Sequence, residues 1–137
     1  MRLREQDDGR WIKLHDAPAD VQPPAPGPSD FYQKTLHTHD YHSAPRPGEK
    51  GYLGRYDNSW CNDPEEVIDV MFPIKKPWIA FKVMAAGAIP PRRAFQHAFN
   101  SGADFVLAGM FDWQVAEDVR IAKETLAEVK RTRPWYS

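Results

Sequence analysis

Residues 77–111 constrain the fold most, because they contain an apolar strand, a glycine-bearing turn, an amphipathic helix and a second apolar strand in succession. Residues 78–84 are rich in β-branched and aromatic side chains and predict the first strand. The predicted buried face of the helix consists of Ala94, Phe95, Ala98 and Phe99. Gly102 stands where a left-handed cap would end this helix, before residues 103–109 form the second strand. This order is a βαβ unit, which predicts a parallel sheet.

Further strand and helix patterns flank this unit. Residues 30–36 predict a strand, and a helix is predicted to start at Asp63 and Pro64, where Asp63 caps the helix and Glu66 completes a capping box. The last helix has an apolar stripe that we expect to be buried, formed by Val115, Val119, Ala122, Leu126 and Val129. The alternation of strands and helices predicts an α/β domain of parallel βα repeats over residues 30–137.

The first 29 residues are interpreted as a separate, proline-rich N-terminal arm. Residues 17–29 hold five of the chain's 13 prolines, which favours extended backbone over a packed element. The apolar run Trp11–Leu14 predicts a short strand or a docking arm. The domain boundary is therefore expected between residues 29 and 30.

Charge and cysteine content argue against several classes of function. The 18 Lys and Arg residues nearly balance the 19 Asp and Glu residues and are scattered, so no nucleic-acid partner is expected. Arg131 and Arg133 are interpreted as part of a solvated helix end. Cys61 is the one cysteine, which excludes an internal disulfide and favours a reducing compartment. No apolar run reaches transmembrane length and the N-terminus is charged, so we expect a cytoplasmic protein without a membrane partner.

Two turns carry a resemblance to a known fold family. The segments AAGAIPP (residues 85–91) and SGADFVLAGMF (residues 101–111) resemble the seventh and eighth strands of phosphate-binding-type TIM barrels. The resemblance covers residues 30–130 and implies the last three βα units, a half TIM barrel, since a complete barrel takes about 250 residues. It also implies an active site at the C-terminal ends of the strands.

A histidine cluster follows the first strand of the domain, at the start of a long loop over residues 37–59. On extended backbone His37 and His39 point to the same side, about 6 to 7 Å apart, and Asp40 or His42 could supply a third ligand. This spacing predicts a site for Zn²⁺ or another divalent ion that imidazole favours. The alternative is that the imidazoles contact backbone and water.

Lysines lie inside two of the predicted strands. A buried strand lysine is unfavourable unless it points into a site or pairs with a carboxylate, and a desolvated lysine suits Schiff-base chemistry. The strands around Lys34 and Lys82 resemble those of deoxyribose-phosphate-aldolase-like class I aldolases. By that resemblance Lys34 matches the Schiff-base lysine and Lys82 the lysine that tunes it. The alternatives are a structural salt bridge or an exposed strand edge.

The turns after the last two strands offer further candidates. Gly87 and Ala88, together with Gly109, could present backbone N–H groups to a phosphate, or the glycines could permit close packing of strand and helix. Asp112 could act as an acid, a base or a ligand, or could cap the final helix. Trp113 could stack on a ligand.

Together these features predict a TIM-barrel-type enzyme, or half of one, acting on a small polar or phosphorylated metabolite. Its chemistry would be lyase-like or metal-dependent. The alternative is a non-catalytic half-barrel that works as an assembly or binding module. Because a half-barrel has two open strand edges, either Trp11–Leu14 folds back on one of them or a second copy covers them, and we expect a homo-oligomer.

Overall fold

The computed structural model describes the side chains of residues 29–45 and 60–136 and the backbone of residues 2–5 and 11–14. The prolines of the predicted arm and residues 46–59 of the long loop lie outside the described residues. No helix in the described part of the chain is long and apolar enough to cross a membrane.

Two short strands form a separate antiparallel sheet near the N-terminus. They are β1 (Arg2–Glu5) and β2 (Trp11–Leu14). The strand predicted at Trp11–Leu14 is therefore confirmed. It pairs with β1 and not with an edge of the main sheet.

The main sheet has three parallel strands in the order β3-β4-β5, namely β3 (Tyr32–Thr35), β4 (Trp78–Phe81) and β5 (Phe105–Leu107). These strands alternate with three helices, α1 (Pro64–Met71), α2 (Pro91–Asn100) and α3 (Val115–Glu128). The α/β class and the parallel sheet are confirmed. The three described strands form one open sheet.

Local signals in the sequence set the ends of two helices. The Asp63 carboxylate accepts a hydrogen bond from the N–H of Glu66 at 3.0 Å, and Pro64 is the first residue of α1, as predicted. Gly102 follows α2 with a φ of +102°, which confirms the predicted left-handed position. These caps determine where α1 begins and where α2 ends.

The helices cover one face of the sheet. Residues paired across parallel strands share a face, and Tyr32, Trp78 and Ala80 belong to the covered one. All three are buried in one core with Phe95 of α2 and Met71 of α1. This core holds the predicted buried face of α2.

The described helices leave the opposite face of the sheet open. This uncovered face carries Ile79, Phe81, Phe105 and Leu107. Phe105 is 49% and Leu107 is 50% exposed, although both are large apolar side chains in a strand. The sheet therefore has one packed face and one apolar face without a second layer from the described residues.

The predicted buried stripe of α3 is wrong at three of its five positions, since Val115, Val119 and Leu126 are exposed. The inward positions are Asp118, Ile121, Ala122 and Thr125. The reason is that α3 makes its main helix contact with α2, and the residues of α3 that face α2 are not those of the apolar stripe. The Thr125 hydroxyl donates to the Ile121 carbonyl at 2.8 Å, which allows this side chain to be buried.

The interpretation of Arg131 and Arg133 as a solvated helix end is wrong, because both guanidinium groups are buried on Asp104. Arg131 Nη2 lies 3.0 Å from one carboxylate oxygen and Arg133 Nη1 lies 2.7 Å from the other. Arg133 also donates to the Gly102 carbonyl at 2.8 Å, and a Cβ on Gly102 would lie 3.0 Å from Arg133 Cβ. This clamp holds the C-terminal segment at the amino end of the sheet.

Candidate functional site

The candidate site lies at the carboxyl edge of the main sheet, where open α/β sheets bind their ligands. His37 follows β3 and Lys82 follows β4 directly, and Gly109 lies just beyond β5. The sequence-predicted candidates thus fall at one edge of the sheet. Only some of them share an environment there.

The loop after β4 has strained backbone. Lys82, Ala85 and Ala86 have φ values of 57°, 46° and 55°, and Gly87 follows at 86°. Each left-handed non-glycine residue costs roughly 1–2 kcal/mol, and such outliers cluster at functional sites. Hydrogen bonds inside the loop hold this conformation, including Ala85 N–H to the Lys82 carbonyl at 3.0 Å. The predicted strand over residues 78–84 stops at Phe81 because the chain turns left-handed at Lys82.

Lys82 rests its ammonium group on two aromatic rings. Its Nζ lies 4.6 Å from the ring centroid of Trp60 and 5.1 Å from that of Phe81. Aromatic faces attract a cation. These contacts therefore hold the half-buried Lys82 amino group in place at the carboxyl edge of the central strand.

His37 is completely buried and its ring nitrogens are both engaged. Its Nε2 accepts hydrogen bonds at 3.0 Å from the N–H groups of Trp60 and Cys61. Its Nδ1 lies 3.0 Å from the Thr38 carbonyl and must donate the proton to it. Burial lowers the pKa of His37, and the positive charge of Lys82 acts in the same direction. The ring is thus a neutral imidazole with its proton on Nδ1.

His39 holds the same segment from a second side. Its Nε2 donates to the Cys61 carbonyl at 2.6 Å, and its ring centroid lies 6.0 Å from that of His37. The two histidines therefore form a clasp, which we call the histidine clasp, on residues 60 and 61. The clasp holds Trp60 against Lys82.

The contacts of His37 and His39 match the alternative in which the imidazoles bind backbone. His42 lies in an exposed turn. Across residues 29–45 and 60–136, no three His, Cys, Asp or Glu side chains are grouped so that they could hold a metal ion. A divalent ion at His37 would have to displace the hydrogen bonds of the clasp. The zinc-type site stays a prediction without support from this geometry.

Lys34 occupies a different environment from Lys82. It pairs in register with Ala80, so it belongs to the face of the sheet that the helices cover. It lies near Cys61, whose thiol pKa is raised by burial although the His37 contact and the charge of Lys34 oppose that shift. A thiol with a raised pKa is a poor nucleophile at neutral pH.

The predicted phosphate cradle is only partly available. The Gly87 N–H donates to the Met84 carbonyl at 2.9 Å and the Ala88 N–H donates to the Ala85 carbonyl at 3.2 Å. The alternative of close packing is wrong for Gly87 and Gly109, because an added Cβ at either would meet nothing within 4 Å. The positive φ of Gly87 is what favours glycine there.

Asp112 lies in the 3₁₀ turn Asp112–Gln114 between β5 and α3. Its carboxylate accepts a hydrogen bond from the Trp113 N–H at 2.9 Å. The cap of α3 is Gln114, so the interpretation of Asp112 as the cap is wrong. Trp113 is 74% exposed and stacks on Phe111, with ring centroids 4.5 Å apart. Asp112 stays a candidate acid or base by position alone.

Sequence reasoning missed Trp60 and the strained backbone. Trp60 comes directly before Cys61 at the end of the long loop, and an aromatic residue flanking a helix start is too common a feature to identify a cation partner. The alanines of the loop after β4 gave no signal of positive φ, since alanine disfavours it.

Comparison of the chain with protein-family models, with curated proteins and with solved structures finds no match.

Proposed function

We propose that the chain is the C-terminal half of a phosphate-binding-type βα-barrel enzyme that acts on a small polar or phosphorylated metabolite. In this proposal Lys82 binds the anionic group of the substrate. The observation that carries it is the strained loop after β4, which presents the Lys82 ammonium group on the faces of Trp60 and Phe81. Strain of this kind is retained where a side chain must be held in one place.

The environment of Lys82 favours binding over covalent chemistry. The two aromatic faces attract a cation and hold the Lys82 amino group in one place, as an electrostatic binding group requires. The neighbouring imidazole of His37 is neutral and already bonded on both nitrogens, so it does not compete for the substrate anion. Lys82 is therefore assigned the role of an electrostatic binding group.

The uncovered face supports the half-barrel part of the proposal. In a βα barrel, alternate strand residues point into an interior filled with apolar side chains. Phe105 and Leu107 occupy such alternate positions and are half exposed. Val115 and Val119 on α3 are also exposed, as expected where a neighbouring helix of a barrel is absent.

Substitution of Lys82 by methionine tests the binding role. Lys82→Met should abolish binding of inorganic phosphate, measured by NMR titration, because the cation is lost while the side-chain length is kept. Lys123→Met is the matched control, since Lys123 is an exposed lysine on α3. Equal phosphate binding by Lys82→Met and the unsubstituted chain would contradict the proposal.

Reductive trapping separates binding from Schiff-base chemistry. Borohydride treatment with small aldehydes, followed by mass spectrometry, should leave Lys82 and Lys34 unmodified beyond the level of Lys123. An adduct concentrated on Lys82 would replace the binding role by a covalent one. An adduct on Lys34 would support the aldolase-like assignment instead.

A non-catalytic assembly module is the second candidate function. It is favoured by the exposure of Phe105 and Leu107 on the uncovered face, because contiguous apolar surface on a sheet marks an interaction site. In that case a second copy of the chain would cover the face as a homo-oligomer. Assembly of the unsubstituted chain without any binding of inorganic phosphate would favour this candidate.

A further inference from the structure

The histidine clasp and the Lys82 side chain meet at Trp60. The backbone N–H of Trp60 donates to His37 Nε2 at 3.0 Å, and the Trp60 ring centroid lies 4.6 Å from Lys82 Nζ. The Trp60 ring also packs against the His37 ring at an interplanar angle of 87°, with centroids 6.4 Å apart. The clasp therefore determines the position of the ring on which Lys82 rests.

The clasp holds residues 60 and 61 by three hydrogen bonds. The N–H groups of Trp60 and Cys61 donate two of them to His37 Nε2, and His39 Nε2 donates the third to the Cys61 carbonyl. Residues 60 and 61 belong to no helix and to no strand of the main sheet. Segments held by few bonds outside the core elements open at a lower free energy than the whole fold. Opening of the clasp would move Trp60 away from Lys82 without unfolding the sheet.

Lys82 depends on Trp60 for one of its two aromatic contacts, and Phe81 supplies the other. Across residues 29–45 and 60–136, no carboxylate forms an ion pair with Lys82. A ring face holds a cation without neutralising it, whereas a carboxylate would compete with a substrate anion. A free lysine side chain has large rotamer entropy, part of which is lost when it binds an anion. The Trp60 ring reduces this loss because it restricts the side chain beforehand.

We propose that anion binding at Lys82 and the intact histidine clasp stabilise each other through Trp60, so that opening of the clasp weakens the site. Trp60 is the positioning residue of Lys82, and His37 holds Trp60 in place. The inference rests on the proposed function, because it takes Lys82 as the group that binds the substrate anion. Coupling of two equilibria is reciprocal, so a bound anion must favour the intact clasp by the same factor by which the clasp favours the anion.

Amide hydrogen exchange followed by NMR, with and without inorganic phosphate, tests this coupling. Restricting one lysine side chain in advance corresponds to a factor of about two to ten in affinity. Saturating phosphate should therefore slow exchange of the Trp60 and Cys61 N–H groups about two- to tenfold. The control is the Phe111 N–H, which bonds to the Gln114 side chain in an exposed turn and should not respond.

Substitution of Trp60 separates the coupling from a merely structural role. Trp60→Leu removes the ring but keeps the backbone N–H that bonds to His37, so it should weaken phosphate binding about two- to tenfold. It should also abolish the effect of phosphate on exchange at Cys61, and Trp60→Phe should restore most of both because it keeps an aromatic face. Trp113→Leu is the matched control, since Trp113 is exposed and stacks on Phe111, and it should change neither quantity.

The outcomes distinguish this inference from the proposed function. If the unsubstituted chain does not bind phosphate, the proposed function fails and the inference fails with it. If phosphate binds but exchange at Trp60 and Cys61 slows no more than at Phe111, the coupling alone is wrong. Unchanged affinity in Trp60→Leu, or equal slowing of exchange at Cys61 in that variant and in the unsubstituted chain, would also overturn the coupling. The exchange measurement on the unsubstituted chain needs no variant, so it decides the matter even where Trp60→Leu does not fold.

Discussion

Substituting Asp104 by asparagine removes the negative charge that lies between two buried guanidinium groups. The carboxylate accepts four hydrogen bonds, from Arg131, Arg133, Trp78 N–H and Tyr136 N–H. These bonds join the amino ends of β4 and β5 to the C-terminal segment. The asparagine side chain has the same shape but presents one oxygen and one NH₂ group, so part of this donor set would face another donor.

The size of the effect follows from those contacts. Removing one partner of a buried ion pair costs about 3–5 kcal/mol, because the remaining charge is buried without compensation. A domain has a total stability of about 5–15 kcal/mol, so Asp104→Asn should remove a large share of it. The melting temperature should fall by roughly 10 °C or more.

The same contacts set the pH dependence of the effect. Burial by itself would raise the pKa of Asp104, but the hydrogen bonds from Tyr136, Arg133, Trp78 and Arg131 outweigh it and lower the pKa below its ordinary value. The folded chain therefore binds this proton less tightly than the unfolded chain. The stabilisation is complete above the unfolded pKa and is lost as the pH falls through the folded pKa.

Urea unfolding followed by circular dichroism measures this loss across pH. At neutral pH Asp104→Asn should be less stable by about 3 kcal/mol or more, and the difference should shrink in acid. Glu117→Gln is the control, since Glu117 pairs with Arg120 on the surface and should change stability by less than about 1 kcal/mol. Equal small losses in both variants would refute the view that the clamp stabilises the fold.

Two further predictions concern the histidines and the uncovered face. Burial lowers the pKa of His37 and His97, so the free energy of unfolding should be highest above their ordinary pKa and should fall below it by up to about 1.4 kcal/mol per pH unit for each group. Urea unfolding of His37→Gln should therefore show a weaker dependence of the unfolding free energy on pH between about pH 7 and pH 5. An unchanged pH dependence would contradict the buried clasp. Leu107→Lys should convert the expected homodimer to a 15.7 kDa monomer in light scattering, with little loss of stability because Leu107 is already half exposed. The control Asn62→Lys should leave assembly unchanged. A monomeric chain before any substitution would refute the expected assembly.

The βα order could be predicted from sequence because each element carries its own local signal. Asp63 and Pro64 start α1 by hydrogen bonding and fixed φ, and Gly102 ends α2 by adopting a positive φ. Neither signal depends on distant residues. The parallel sheet then follows from the lengths of the connections.

Contacts between distant segments could not be predicted in this way. Arg131 and Arg133 have the composition of a solvated helix end, and only the position of Asp104 at the amino edge of β5 makes them buried. The histidine spacing that suggested a metal site equally suits two imidazoles that bind the backbone of Cys61. Whether the imidazoles bind a metal ion or backbone depends on the position of residues 60 and 61 after the long loop, which local sequence patterns do not predict.

The exposed apolar residues at the end of the chain belong to both layers of the fold at once. In the sheet layer Phe105 and Leu107 lie on β5, which is an edge strand among the described residues, and in the helix layer Val115 and Val119 lie on α3. An added βα unit would pair its strand with β5 and pack its helix beside α3, on the helix-covered side of the sheet. Phe105 and Leu107 lie on the opposite face, so such a unit alone would leave them exposed. We therefore expect the complement of this chain, whether a second copy or another chain, to pack on the uncovered face as well as beside α3.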